Sequence, residues 1–316
     1  MSKPLGPLLF SGSSHPALAK EVAEYVGIPL GRATLEFFPD DEIFVQILEN
    51  VRRRSVFVLQ SIARKPNVYL MELLIMIDAL KRASAASINV LLPYYGYGRQ
   101  DRKDRGRVPI TARLVANLLE TAGATRVLTM DLHAAQIQGF FNTPVDHLYS
   151  RPVVVKAVER FALERPVVVS PDVGSIKMAR SFAEALKVDL AIVDKRRINA
   201  REVEMTTVIG EVDGRDVLLV DDMCATAGTL VSAARTVKER GARRLFAAVT
   251  HGLMVGEALG RIEESPIEKL LICNTVPGAE ELAESHDFIE VVSVASLFGE
   301  AINRVDSTQS ISSLFN

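Results

Sequence analysis

Short apolar runs and segments of helical period alternate along almost the whole chain. Leu8–Phe10, Val56–Gln60, Ile88–Pro93, Arg126–Asp131, Val167–Ser170, Leu190–Val193, Val217–Val220, Leu245–Thr250, Lys269–Ile272 and Ile289–Val294 read as strands. Continuous apolar runs of this length suit strands buried on both faces of a parallel sheet. Helical patterns lie between them over Pro16–Val26, Val68–Ala83, Thr111–Glu120, Val153–Leu163, Val173–Leu186, Leu230–Arg240 and Ser296–Val305. Pro16 fits a first helical turn, while Gly27, Gly123 and Gly241 fit helix ends. Thr34–Phe38 and Ile43–Leu48 read as strands around the turn Phe38-Pro39-Asp40-Asp41-Glu42, and Val203–Val212 as a further strand. Val68–Ala83 is apolar on most faces, so it should pack between layers or subunits. The alternation predicts an α/β protein of two similar domains, each a mainly parallel sheet flanked by helices. The boundary falls near Ser150, giving domains over 1–150 and 151–316, with the last helix and tail packing back on the first.

Composition narrows the classes. The chain has 316 residues, 48% of them hydrophobic and 24% charged, with net charge −2. That balance suits a soluble globular protein and gives no reason to expect wholesale binding to nucleic acid or membrane. No apolar stretch reaches the ~18–20 residues of a membrane span. The opening MSKPLGPLLFSG, with Gly and Pro inside a short apolar run, does not read as a signal peptide. Two cysteines, Cys224 and Cys273, imply no disulfide framework. The cytoplasm is the expected location.

Candidate chemistry concentrates where Val217-Leu218-Leu219-Val220 runs into Asp221 and Asp222 and then Ala225-Thr226-Ala227-Gly228-Thr229. Such a loop lies at the carboxyl end of a strand, where open α/β sheets bind ligands. Small residues let backbone N–H groups approach an anion, and the next helix N-terminus favours negative charge. Carboxylates beside a phosphate cradle need another partner, either sugar hydroxyls or a metal or both. The pattern predicts a sugar-phosphate site. Ser170-Pro171-Asp172-Val173-Gly174-Ser175 repeats this logic after another apolar strand. Asp172 alone reads equally as a helix N-cap, but two such turns on one sheet suit two phosphate groups. Cys224 lies in the anion loop, where a thiol pKa can fall; a small filler role is the preferred reading.

Three further features carry charge. Tyr94–Arg107 packs five Arg or Lys residues into a glycine-hinged loop. It reads either as a solvated loop or as a polyphosphate clamp, because Arg offers a planar fork to phosphate oxygens; Tyr94, Tyr95 and Tyr97 serve packing equally well. Lys195-Arg196-Arg197 lies between strands and reads either as a surface hairpin or as a mobile pair of cations that stabilises phosphoryl transfer. His133, after Asp131-Leu132, is a metal or phosphate partner or a structural histidine. Neither a Walker loop nor a dinucleotide-binding glycine pattern follows any strand.

Taken together, these residues resemble the ribose-phosphate pyrophosphokinase (phosphoribosyl-pyrophosphate synthetase) family. Phe38-Pro39-Asp40-Asp41-Glu42, Tyr94–Asp104, Arg107-Val108-Pro109-Ile110-Thr111, Asp131-Leu132-His133 with Gln136–Phe141, Ser170-Pro171-Asp172, Lys195-Arg196-Arg197 and Val220-Asp221-Asp222-Met223 fall in the family's order and spacing. The resemblance implies a phosphoribosyltransferase-like fold and transfer of the diphosphoryl group of ATP to the C1 hydroxyl of ribose 5-phosphate, with Mg²⁺. It implies ATP binding by Phe38, Asp40, Glu42, Arg99 and Gln100, and metal binding by His133 and Asp172. It makes Lys195 and Arg197 catalytic, and gives ribose 5-phosphate to Asp221, Asp222, Thr226, Ala227, Gly228 and Thr229. It further implies a homohexamer regulated by ADP and phosphate.

Departures from the family pattern matter. Ala225 stands where the family usually has Asp, Ser175 where it usually has Gly, Asp41 where it has Gly or a small amide, and Ala135 where many relatives have Ser. Loss of the carboxylate at 225 should weaken ribose 5-phosphate binding without abolishing the site, and Ser175 would demand a new backbone angle if the usual Gly has positive φ. Two competing readings follow: a non-catalytic regulatory paralogue, and a phosphoribosyltransferase that shares only the sugar-phosphate loop.

Overall fold

The computed structural model describes residues 6–197 and 204–314, without the side chains of 195–197 and 204–206. The chain forms two compact units. The first takes residues 1–149, Thr275–Pro277 and 293–316; the second takes Ser150–Asn274 and Gly278–Val292.

In the first unit, β1 (Leu8–Ser11), α1 (Pro16–Val26), β2 (Ala33–Phe37), β3 (Ile43–Ile47), β4 (Ser55–Leu59), α2 (Pro66–Arg82), β5 (Ser87–Leu92), α3 (Thr111–Ala122), β6 (Arg126–Met130) and β7 (Val145–Leu148) follow in order. The sheet runs β1-β4-β5-β6-β7 and every pairing is parallel. β2 and β3 form a separate antiparallel hairpin. Phe10, Val58, Val90, Leu92 and Val127 meet Leu73, Met76, Ile77, Leu80, Val115 and Leu119 of α2 and α3 in one buried core. β7 and a short 3-10 segment over Ala135–Phe140 escape the sequence reading, because Val145-Asp146-His147-Leu148 carries no continuous apolar run.

The second unit contains α4 (Arg151–Val158), β8 (Val167–Ser170), α5 (Ile176–Leu186), β9 (Asp189–Arg197), β10 (Glu204–Ile209), β11 (Val217–Cys224), α6 (Gly228–Glu239), β12 (Leu245–Gly252), α7 (Ala258–Glu263), β13 (Lys269–Cys273), α8 (Ala279–Ser285) and β14 (Ile289–Val292). Its strand order is β10-β9-β8-β11-β12-β13-β14. Only the β9–β10 pairing is antiparallel. Every residue of β8 and β12 is buried, as a sheet covered on both faces requires. The chain then returns to the first unit with α9 (Ala295–Asp306), which packs on α1. Gly299 permits that approach, since a Cβ there would lie 2.3 Å from the Tyr25 ring.

The expected α/β architecture with mainly parallel sheets is therefore present, but the two sheets differ in topology. In the first, successive strands add in one direction. In the second, β8 leads leftward to β9 and β11 leads rightward to β12, which makes the β8–β11 boundary the switch point where open sheets form a ligand crevice.

Candidate functional site

The two carboxylate-bearing turns of the second unit leave the carboxyl ends of β8 and β11, which are hydrogen-bonded neighbours, Val217 opposite Val167 and Leu219 opposite Val169. Adjacency in the sheet thus brings together what 46 residues of sequence separate. The helix expected from Val173 begins instead at Ile176. The cause is Asp172, whose Oδ1 accepts the backbone N–H groups of Gly174 (2.8 Å) and Ser175 (3.1 Å), holding residues 172–175 as a turn. Asp172 is therefore not the helix N-cap that its sequence position allows: that place falls to Ser175, α5 has no side-chain cap, and Asp172 closes the turn before it. Ser175 has φ −89 and ψ 4, an ordinary conformation, so its side chain brings no backbone strain.

β11 is also longer than its apolar run. It continues through Asp221 and Asp222 to Cys224, because β12 continues beside it, with Asp221 opposite Val249 and Cys224 opposite Gly252. The carboxylates therefore sit on a rigid strand rather than on the loop. The Ser175 hydroxyl donates to Asp221 Oδ1, and the Asp222 backbone N–H donates to the same oxygen at 2.9 Å. Burial first, then the neighbouring Asp222 charge, with a smaller contribution from Asp172, pushes the Asp221 carboxyl up to about 7, against the Ser175 bond. Three carboxylates thus crowd one strand-end region and favour a cationic or hydroxyl-bearing partner there.

The loop beyond is held from beneath. Ala225 O accepts the Val255 N–H at 2.8 Å, and Cys224 O accepts that of Leu253 at 2.9 Å. Ala227 adopts the left-handed region at φ 61, and α6 starts at Gly228 with no side-chain cap. Its first-turn N–H groups lack intrahelical acceptors and remain for an anion. Thr226, Gly228 and Thr229 are exposed, while Ala227 is buried. Burial pushes the Cys224 thiol up to about 12, opposed by the Ala227 backbone N–H; the thiol is a filler, and the lowered pKa that the loop position allows is not found.

Lys195 and Arg197 lie on β9, in register with Thr206 and Glu204 of β10; their side chains fall outside the described residues.

In the first unit, Phe38 and the turn to Glu42 cap the β2–β3 hairpin. Phe38 N donates to Glu42 O at 2.8 Å, and Asp41 N to Phe38 O at 2.9 Å. Asp41 takes φ 66, a left-handed position that Asp tolerates better than most residues, which accounts for Asp where a Gly would serve. Phe38 is 50% exposed and meets Phe44 edge-on at 5.8 Å. Asp40 and Glu42 are exposed beside it.

Arg99 and Gln100 are exposed at the start of the basic loop. Gln100 also braces α3: its carbonyl accepts the Ala112 N–H at 3.1 Å and its side chain accepts the Thr111 hydroxyl. Tyr95 anchors the loop's base, with its hydroxyl donating to Ala112 O at 2.9 Å and burial raising its pKa. His133 is exposed just beyond β6. The segment presenting it is held by a residue that sequence reasoning missed, His147 of β7, whose Nε2 accepts the Leu132 N–H at 2.9 Å and whose Nδ1 faces Gln138 Nε2 at 3.3 Å. Val145-Asp146-His147-Leu148 neither alternates nor forms an apolar run, so the sequence carried no pattern signal for that strand.

Phe38, Asp40, Glu42, Arg99, Gln100 and His133 belong to the first unit, and Asp172, Lys195, Arg197 and the residues from Asp221 to Thr229 to the second. Among the described residues, no group of three His, Cys, Asp or Glu side chains is placed to hold a metal, and no helix is long and apolar enough to cross a membrane.

Residues 8–123 match the N-terminal domain of ribose phosphate pyrophosphokinase, and residues 196–316 match the phosphoribosyl synthetase-associated domain. The ribose-phosphate pyrophosphokinase of Wolinella succinogenes is 51% identical over 98% of this chain and 99% of its own length. That of Caldanaerobacter subterraneus subsp. tengcongensis is 52% identical over 97% of each. The crystal structure of phosphoribosylpyrophosphate synthetase from Mycobacterium smegmatis superposes with a TM-score of 0.90 at 42% identity, covering 96% of this chain and all of that one. The chain belongs to the ribose-phosphate pyrophosphokinase family.

Proposed function

We propose that this chain transfers the diphosphoryl group of ATP to the C1 hydroxyl of ribose 5-phosphate, releasing AMP and 5-phosphoribosyl 1-pyrophosphate. The observation that carries the reading is the switch-point site of the second unit, where crowded carboxylates stand on β11 beside an uncapped helix N-terminus, within a chain matched end to end by family members. The C1 oxygen attacks the β-phosphorus and AMP leaves, a reaction governed by positioning and charge neutralisation. Thr226, Ala227, Gly228 and Thr229 cradle the 5-phosphate through backbone N–H groups, and Asp221 and Asp222 address ring hydroxyls. Phe38 stacks on adenine, with Asp40 and Glu42 at its polar edge. Arg99 and Gln100 hold the nucleotide phosphates, and Lys195 and Arg197 stabilise the transferring group.

Mg²⁺ is the metal assigned. It takes one or two carboxylates plus substrate phosphates rather than a full protein cage, and the oxygen donors at the end of β8 and β11 fit that chemistry. Asp172 is the carboxylate assigned to it and His133 the partner on the ATP side; when bound, the ion neutralises the phosphate charge. A homohexamer governed by ADP and phosphate, working in the cytoplasm, completes the reading. Leu114 and Leu118, exposed one turn apart on α3, offer a face for assembly, and the two free cysteines suit a reducing compartment.

The test is direct. With ATP, Mg²⁺, ribose 5-phosphate and phosphate, the purified chain should form AMP and the pyrophosphorylated sugar in equal amounts. Absence of AMP at saturating substrates would favour the regulatory paralogue.

A further inference from the structure

Two donors converge on one atom of the site. The Ser175 hydroxyl and the Asp222 backbone N–H both bond Asp221 Oδ1, and neither uses Oδ2. Fixing one carboxylate oxygen from two directions sets the rotation of the whole group. The donors also come from different elements: Ser175 is the N-cap residue of α5, and Asp222 lies on β11. Ser175 is itself fixed, since its own N–H is held by Asp172 Oδ1 at 3.1 Å. A chain of bonds therefore runs from the turn after β8, through Ser175, to a carboxylate on β11, and Asp221 is only 9% exposed. On the loop side no such polar link exists at 225, where alanine carries only a methyl group. Nothing in the fold requires a hydroxyl at 175: the helix begins there with ordinary dihedrals and no side-chain cap. The one side-chain bond of Ser175 among the described residues is the bond to Asp221.

We propose that Ser175 is a positioning residue for the sugar, which pins Asp221 Oδ1 so that Oδ2 meets a ribose hydroxyl in a preset orientation. The inference rests on the assignment of Asp221 to ribose 5-phosphate. Ser175 then governs sugar binding and leaves nucleotide binding alone. It also acts only through Asp221, which separates it from a residue that merely supports the fold.

The experiment uses the full-length chain with Mg²⁺, in wild-type form and as Ser175→Ala, Ser175→Thr, Asp221→Ala, which removes the acceptor oxygen, and the Ser175→Ala/Asp221→Ala double variant. Ser175→Ala should raise KM for ribose 5-phosphate about tenfold, the size of one charge-assisted hydrogen bond, and change KM for ATP by less than about twofold. Ser175→Thr, which keeps the hydroxyl, should restore sugar binding. Once Asp221 is replaced, removing the hydroxyl should add almost nothing. Equal rises for both substrates, or full additivity of the two substitutions, overturns the proposal. Calorimetric titration of ribose 5-phosphate into each variant supplies a readout that does not depend on turnover, and it separates the two readings. A wild-type chain that binds the sugar but forms no AMP defeats the catalytic reading. A Ser175→Ala chain that binds the sugar as tightly as wild type defeats this one. Ser175→Gly, compatible with the observed φ, replaces Ser175→Ala if the alanine variant does not fold.

Discussion

Arg243 grips both carboxylate oxygens of Asp216, Nε to Oδ1 at 2.8 Å and Nη2 to Oδ2 at 2.7 Å. The pair sits at the amino end of β11, opposite the end that carries the site. Asp216 is fully buried and also accepts the Glu164 backbone N–H at 2.8 Å. Burial alone would raise its pKa, but the Arg243 bond, the Glu164 N–H and the charges of Arg243 and Arg244 prevail and hold it below the usual range. Arg243→Ala leaves a buried carboxylate without its cation and should lower the urea midpoint of the second unit, with KM values unchanged. Because the native pKa is depressed, this stabilisation is complete above the unfolded value of about 4 and drains away only as pH falls through the lower native one. An Asp216→Asn chain should therefore lose its stability deficit relative to wild type only in strong acid.

Asp221 has the opposite sign. Its native pKa, about 7, lies above the unfolded value, so the unfolded chain ionises first as pH rises and the native state is penalised from about pH 4 up to about pH 7. In metal-free protein without substrates, Asp221→Asn should melt higher than wild type at about pH 8, and the gain should vanish toward about pH 4. A gain that stays constant across that range would show that the carboxylate is not held protonated by its surroundings.

Phe38 is half exposed at a hairpin tip, with its ring edge-on to that of Phe44. Phe38→Ala should raise KM for ATP about tenfold, the scale of one base-stacking contact, while the melting temperature stays within about 1 °C because no core is opened. A large drop in melting temperature instead would assign the ring to packing.

Lys195→Ala should lower kcat by about a hundredfold or more and leave KM for ATP nearly unchanged, the pattern of an interaction made in the transition state. Equal losses in both would give Lys195 a ground-state role.

Ala225→Asp should lower KM for ribose 5-phosphate by about tenfold, through one recovered charge-assisted contact. An unchanged or higher KM would mean that the carboxylates already on β11 leave no use for another.

The core of each sheet was legible because burial on both faces writes itself as unbroken apolar runs, as in the strand Val167–Ser170, and the helix Pro16–Val26 was legible from its one apolar face; both match their expected bounds. Elements defined by pairing rather than apolarity were not. β7 is half polar, and α7 and α8 have 6 and 7 residues, too short for a helical period to show. Strand β11 outruns its apolar stretch because β12 supplies partners for Asp221 to Cys224, and α5 starts late because a side chain, Asp172, outcompetes the first helical turn for two N–H groups. At the site, residue types announced a sugar-phosphate loop, but the Ser175–Asp221 contact depends on which strands are neighbours, and a chain order of β8 followed by β9 gives no hint that β11 lies on the other side.

The packing of α9 on α1 has a consequence for synthesis. Residues 16–26 emerge early and can pack on β1 at once, yet their other partner surface comes from residues 295–306, so that side of α1 stays uncovered while almost 300 residues are translated. The second unit, complete at Val292, can close before it. In chain order the second unit's last strand therefore precedes α9, and the earliest helix is the last to meet that partner.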